Sequence, residues 1–557
     1  MTVFDNMQKK TDEIKTHPFY ESYVKNIKDT YEELINEGNI TLTYQDFMYF
    51  YETGSRSEYE KKYFRKREFL SCSLALCILF GEEKYLKSIC EAIWSICSEI
   101  SWVVPAHLLE YDVDVYDTHI DLFASETALY LAETSYLLGD KLPERIRKLI
   151  SYHLNKRIFT PFEERKYWWE KLDSNWAAVC GGSIGMAYMY ANPDGFNKVY
   201  DRIGGIIENF VSGYGDDGCC QEGVNYWNYG FEFFIFYADL LKRFTDGKTD
   251  IMKPEKINRM AQCLQKLIMR KDITVSFSDG ARRGEFTNIG LYSYLKANFE
   301  GIEIPTMIGN KGRRSVESKP SLMLRTLFWS DPDDYVNNNR EFKTGMEYFR
   351  DAKWYTNKKT KFSFAAKCGH NLEQHNHNDV GSFVIATDDG QILCDIGALE
   401  YTKENFDYEN TRYKLFHNSS EGHCVPIIDG KAQKYGKEYC GEVLEVTDDT
   451  FSMEMQSAYE TDLKKLVRTF NIGNDSVVLK DTYTSDKKHD IKERFVTEIE
   501  PVISDDGVRL GNLLMKTTKT PSVSSVSLRN HNLEYETFYA IDFQVDADEF
   551  EIVFVIE

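Results

Sequence analysis

The chain has no apolar run long enough to cross a bilayer, and its first residues, MTVFDNMQKKTDEIKTH, lack the apolar core of a secretory leader. A protein spanning the membrane by helices is excluded on that reading. A cytoplasmic location is expected, with a secreted or periplasmic one following instead if a leader has been removed upstream. No Cys-x-x-Cys pair occurs among the 12 cysteines, and Cys72, Cys77, Cys90 and Cys97 fall inside helical patterns. That distribution points to reduced, buried thiols and away from a disulfide frame. Positive charge is also scarce: 67 Lys and Arg stand against 89 Asp and Glu, for a net charge of −22. A general nucleic-acid binder, which needs a basic face, is therefore disfavoured. A polyanionic ligand is not, because a few cations reverse the sign of a local cleft. Aromatic residues, by contrast, are abundant: 36 Tyr, 35 Phe and 8 Trp in 557 residues. Such rings stack on sugar faces, although dense packing gives the same count.

A chain of this length divides into about two to four domains. From about residue 6 to residue 330 the apolar pattern is helical, in segments such as 59–81, 82–100, 122–139 and 230–247. Gly81, Pro105, Gly139, Pro161, Pro193, Gly215 and Pro254 separate them. About a dozen short-linked helices packing antiparallel in pairs predict an α/α toroid or solenoid. No sequence repeat marks a named solenoid family. The texture changes at Trp329-Ser330-Asp331-Pro332 and the polar stretch after it. Beyond about 345, strand-sized runs follow one another, with hairpin signals at Asp389-Gly390 and Asp429-Gly430. The expected architecture is an α/α toroid over 1–335 and an antiparallel β-sandwich over 336–557.

Three clusters carry chemistry. In GHNLEQHNHNDVGSF (369–383) and the residues after it lie five of the 11 histidines: His370, His375, His377, His417 and His423. In an extended segment His375 and His377 point to one side, about 7 Å apart. His377, His423 and Asp395 supply two imidazoles and a carboxylate, a donor set for zinc, with manganese as the alternative. The plain alternative is hydrogen-bonded loop histidines. In DDGCCQEGVNYWNYGFEFF (216–234), Glu222, Tyr226 and Tyr229 share one face if the segment is helical. A Tyr there serves as proton donor or base in a cleft, or simply as a packing aromatic. In KLDSNWAAVCGGSIGMAYMY (171–190), Asn175 precedes a helix rich in small residues, where a helix cap would look the same. Trp102 and His107, at a Pro-broken helix end, offer sugar stacking or ordinary packing. Arg282 and Arg283, in the turn after Asp279-Gly280, offer contacts to acid or sulfate groups or a solvated pair. His370, Tyr401 and His417 are further candidates for the same cleft.

The order HNHNDVGSF, CDIGALEY, SSEGHCVPIIDGKAQ, with the SNW and EGVNYWNYG segments upstream, resembles the heparinase II/III-like polysaccharide lyases over nearly the whole chain. That resemblance implies an α/α toroid joined to an antiparallel β-sandwich with a cleft between them. It implies Tyr226 as the catalytic tyrosine, His375 as the cleft histidine, and Asn175 as the amide contacting the substrate carboxylate. His377, Asp395 and His423 are implied as ligands of a mainly structural divalent cation. One departure is visible: some members follow the Asn with a basic His, where this chain has Trp176, which shifts acid–base duty toward Tyr226. Trp176, Glu222, Tyr229, His107, Trp102, Arg282 and His370 are assigned to substrate binding.

The implied reaction is β-elimination on an acidic, uronate-containing polysaccharide or oligosaccharide, with no nucleic acid or membrane as partner; homo-oligomerisation is compatible with it. A base removes the C5 proton, donors such as Asn175 and His375 stabilise charge building on the carboxylate, and an acid protonates O4. The rivals are a glycoside hydrolase using Asp216, Asp217 and Glu222, and a noncatalytic glycan-binding protein. The lyase reading requires a phenol from the helical half to face an imidazole from the sheet half across a sugar acid.

Overall fold

A computed structural model describes residues 2–109, 111–305, 317–336 and 342–557. Residues 337–341, in the polar stretch where the texture changes, lie outside it. The chain forms two compact units: one of residues 1–213, 229–258 and 286–338, the other of residues 214–228, 259–285 and 339–557.

The first unit is helical. Its long helices end where the sequence says they should. Ser57–Phe80 stops at Gly81, whose left-handed backbone (φ 70°) lets its N–H reach Cys77 O. Leu122–Leu138 starts at Asp121, whose carboxylate accepts from Ala124 N at 2.7 Å. Leu122–Leu138 packs on Asn175–Ala191, which also meets Pro193–Gly213 and Glu232–Phe244. Small residues make that crowding possible. A Cβ added to Gly181 would fall 2.6 Å from Ile206, and one on Gly185 2.6 Å from Tyr237. Pro320–Trp329 returns to pack on Met7–Thr16 and Ser57–Phe80, so the last helix closes on the first. Tyr20 Oη donating to Ser330 O at 2.9 Å seals that closure. This is the ring of an α/α toroid. No helix among the described residues is long and apolar enough to cross a membrane.

The second unit is a stack of antiparallel sheets. A five-stranded sheet runs in sequence order from Gly345–Phe349 to Gly390–Leu393, and an eight-stranded sheet is centred on Lys465–Ile472, Ser476–Thr484 and Glu549–Ile556. A four-stranded sheet contains Ile491–Thr497 and Tyr535–Val545. Phe364, Phe383, Phe470, Phe495 and Phe554 fill the shared core, as in a β-sandwich. The Asp389-Gly390 hairpin forms, with Thr387 paired to Gly390. Asp429-Gly430 makes only a tight turn bridging Ile428 and Lys431, and Ile427–Ile428 pairs instead with Ile491–Thr497.

Two stretches read as part of the helical half pack with the sheets. Ile268–Arg270 and Ile273–Thr274 form a small ladder. Ser363 Oγ donates to Met269 O at 2.9 Å, and Gln391 Nε2 donates to Thr274 O at 2.8 Å. Upstream, Asp217 accepts from the N–H groups of Asp351 and Ala352 at 2.7 and 3.1 Å. All twelve cysteines are free.

Candidate active site and metal centre

Segment 214–228 brings Tyr226 to the sheet unit through a contact between two glycines. Gly223 (φ 101°) passes so close to the turn at 277–280 that a Cβ on it would lie 2.9 Å from Gly280 Cα. The Tyr226 ring stacks on the His375 ring with centroids 4.1 Å apart at 22°. Its hydroxyl lies 2.9 Å from Tyr401 Oη. Burial raises the phenol's pKa, and the charges of Asp279 and Glu222 add to the effect, so Tyr226 holds its proton at neutral pH. The two rings thus meet within one compact unit, ring on ring. They do not flank a gap, so no sugar fits between their faces.

His375 has a left-handed backbone, φ 56°. Its Nδ1 is 2.8 Å from Asp279 Oδ2, and its Nε2 is 3.6 Å from Glu222 Oε2. Asp279 is 1% exposed. It also takes His377 Nε2 on Oδ1 at 3.0 Å and Arg412 Nη2 at 3.3 and 3.4 Å. Burial pushes its carboxyl pKa up, but Arg412 and the two imidazoles hold it well below the usual range, so it stays anionic. Arg412, itself buried, donates to His375 O and Asn376 O at 3.1 Å each and to Asn405 O at 2.9 Å.

His377, Asp395 and His423 are fully buried, with ligand atoms within 4.8 Å of one another. His423 Nε2 donates to His417 O at 3.0 Å, leaving Nδ1 beside Asp395 Oδ2 at 2.9 Å. His377 spends Nε2 on Asp279, and its buried Nδ1 has no hydrogen-bond partner among the described residues. A buried ring nitrogen without a partner is costly unless something binds it. Each imidazole thus points Nδ1 inward and anchors Nε2 on an oxygen, the outer-shell pattern of metal-ligating histidines. Two nitrogens and a carboxylate oxygen fit a divalent cation of borderline softness.

The other candidates divide. Glu222 is buried beside His375, but it precedes the helix, which starts at Val224, and the turn from Trp227 to Phe231 is π-helical. The single face expected for Glu222, Tyr226 and Tyr229 therefore does not form. Tyr229 belongs to the helical unit, donating to Glu126 beneath the Lys319 ammonium, 3.8 Å from its ring centroid. Asn175 opens the helix Asn175–Ala191 and is 1% exposed. Next to it, half-buried Trp176 sits 4.8 Å from Trp168 and 5.1 Å from His107. His107 Nδ1 is 2.7 Å from Asp121 Oδ2. Trp102 is a core residue, 1% exposed with its N–H on Ile96 O, and has no face to offer a sugar. Arg282 is committed to Ile396 O, Glu536 and Glu498. His370, half-buried, accepts from Leu372 N at 3.1 Å. Sequence reasoning misses Asp279 and Arg412. The one available signal is the Asp-Gly turn, which draws the eye to the arginines after it instead.

Residues 343–536 match the family model described as Heparinase II/III-like, C-terminal. No curated protein matches the sequence. Among solved structures, heparinase III superposes with a TM-score of 0.66 at 14% identity, covering 100% of this chain and 92% of that one. A mutant heparan sulfate lyase of Pedobacter heparinus gives 0.61 at 10% identity, covering 99% and 91%. A chondroitin AC lyase of Streptomyces coelicolor A3, in complex with chondroitin sulphate, gives 0.57 at 8% identity, covering 99% and 82%. Residues 343–536 thus resemble the heparinase II/III-like C-terminal domain in sequence, and the chain shares the fold of these lyases over its whole length.

Proposed function

We propose that the protein is a polysaccharide lyase that cuts uronate-containing glycans by β-elimination. The observation that carries the reading is the stack of Tyr226 on His375, with the imidazole's far nitrogen held by Asp279. With Nδ1–H donated to a carboxylate, the neutral ring offers Nε2 as an acceptor. His375 Nε2 takes the C5 proton, the electrons of the C5–H bond form the C4–C5 double bond, and the C4–O4 bond breaks. Tyr226, held as a neutral phenol, gives its proton to the departing O4. Proton return from His375 to Tyr226 resets the site. By its motif, Asn175 resembles the amide that meets the substrate carboxylate in such lyases, and the exposed ring of Trp168 offers a face for sugar stacking.

A divalent cation, zinc in this reading, would be held by His377, Asp395 and His423 and would supply rigidity to the segment that presents His375. The names of the similar lyases favour a glycosaminoglycan substrate, and a cytoplasmic location, if that is where the protein works, would favour short oligosaccharides. The hydrolase rival loses one of its carboxylates, because Asp217 is occupied with three backbone N–H groups, those of Asp351, Ala352 and Cys219.

The test is a panel of uronate glycans incubated with the purified protein in heavy-oxygen water. The reading requires ultraviolet-absorbing unsaturated ends without label at the new reducing end. Labelled, saturated ends would make it a hydrolase, and no cleavage of any glycan it binds would make it a binding protein.

A further inference from the structure

We propose that Asp279 is a positioning residue that ties the cation-binding cluster to the reacting imidazole, so that a metal held by His377 fixes the orientation of His375. The meaning of His375 rests on the lyase reading; the link itself rests on geometry.

The two oxygens of one carboxylate are divided between two rings. Oδ1 receives His377 Nε2 at 3.0 Å and Oδ2 receives His375 Nδ1 at 2.8 Å. Both rings therefore point their hydrogens at Asp279, and both tautomers are set by it. The nitrogens left bare are the ones each ring needs: His377 Nδ1 toward the cluster and His375 Nε2 toward substrate. If His377 turns, Asp279 loses one of its two imidazole partners and the restraint on His375 slackens.

The backbone is braced in the same way. A histidine tolerates φ 56° only at some cost in backbone energy. Arg412 supplies the brace, donating to His375 O, Asn376 O and the Asp279 carboxylate from a single nitrogen position. Asp279 is itself fixed from the other side. Ser278, also left-handed at φ 59°, donates its hydroxyl to Gln221 O at 2.8 Å. Gly280 lies back to back with Gly223. Carboxylate, guanidinium and both imidazoles thus form one rigid body with two bare nitrogens.

The experiment measures Zn2+ affinity by chelator competition, with no substrate present, for the intact protein and for Asp279→Asn. Loss of that outer-shell partner is expected to weaken Zn2+ binding about 10- to 100-fold. On a glycan that is cleaved, Asp279→Asn should lower kcat at saturating Zn2+ while KM stays within about twofold. Zn2+ should restore turnover to stripped native protein and fail to restore it in Asp279→Asn. Native Zn2+ affinity in the variant, an unaltered kcat, or no Zn2+ binding by the intact protein would each overturn the proposal.

Should Asp279→Asn not fold, the native protein with heavy-nitrogen-labelled histidine decides the same question. Its His375 Nδ1–H resonance, identified by its loss in His375→Gln, should be sharp with Zn2+ and lost to exchange without it. A resonance indifferent to Zn2+ overturns the link. A protein whose Zn2+ affinity depends on Asp279 yet cleaves no uronate glycan would keep the link and discard the lyase reading. Turnover combined with Zn2+ binding indifferent to Asp279 does the reverse.

Discussion

Two buried charge networks in the sheet unit make an instructive pair. Arg468, with Asp481 and Glu493, is fully buried among the strands. Every donor of its guanidinium is used: Nε and Nη2 on Asp481, Nη2 also on Glu493 at 2.9 Å, and Nη1 on Gly381 O and Cys424 O at 2.9 and 2.7 Å. Burial and the charge of Asp481 raise the Glu493 carboxyl pKa well above the usual range. The Asp279 network is buried except at His375, which is part-exposed, and two of its imidazole nitrogens make no hydrogen bond among the described residues. His377 Nδ1 has no hydrogen-bond partner among the described residues, and His375 Nε2 is 3.6 Å from the nearest carboxylate oxygen, that of Glu222. The Arg468 network closes on itself, whereas the Asp279 network leaves ring nitrogens facing the cluster and Glu222.

That contrast can be broken at several points. The largest effect is expected for Tyr226→Phe, which removes the acid while sparing the packing. Turnover should fall about 10³-fold or more, with glycan binding and thermal stability retained. Unchanged initial rates would remove Tyr226 from the chemistry. Arg468→Met should do the opposite, costing about 3–5 kcal/mol in denaturant unfolding because two acids lose their partner. Its Zn2+ affinity should match the native protein, and a loss there would mean the two networks are not separable.

A third prediction concerns pH. Burial pushes the His417 imidazole down to about 3 from the ordinary value of 6.5. A depressed folded-state pKa means the unfolded chain binds the proton first as pH falls below the unfolded value. Stability is therefore full above that value and drains away as pH falls toward the folded one. For metal-free protein the loss between about pH 7 and about pH 4.5 should be on the order of 2–3 kcal/mol. His417→Gln should flatten the dependence, and an equally steep curve in that variant would assign it elsewhere. The smallest effect is that of Trp168→Ala. Its exposed ring should contribute to glycan binding alone, raising KM roughly three- to tenfold with kcat unchanged. A KM that does not move would leave the ring outside the glycan path.

Legibility in the sequence follows residue type and spacing. His377, Asp395 and His423 stand out because imidazole is scarce in this chain and cations need such donors; they do come together. Tyr226 draws attention as a phenol near the start of an aromatic helix, and it does meet His375. Asp279 is hidden by distance, lying 96 residues before His375 in a turn whose Asp-Gly looks merely conformational. Arg412 sits in a loop of 3-10 turns without periodicity. The helical pattern around 222–234 does not show that the helix starts only at Val224, or that a π-turn moves Tyr229 off the expected face. Trp102 misleads because Pro105 marks a chain break nearby, and a break says nothing about which way a ring points.

The positive φ at His375 has a further consequence, for variation. Besides glycine, Asn and Asp are the side chains that join His in tolerating that backbone. Their codons differ from those of His at a single nucleotide. A lineage that loses the imidazole by the shortest route therefore keeps the loop and its brace. On the lyase reading, a silent relative that grips glycans without cutting them lies one mutation away.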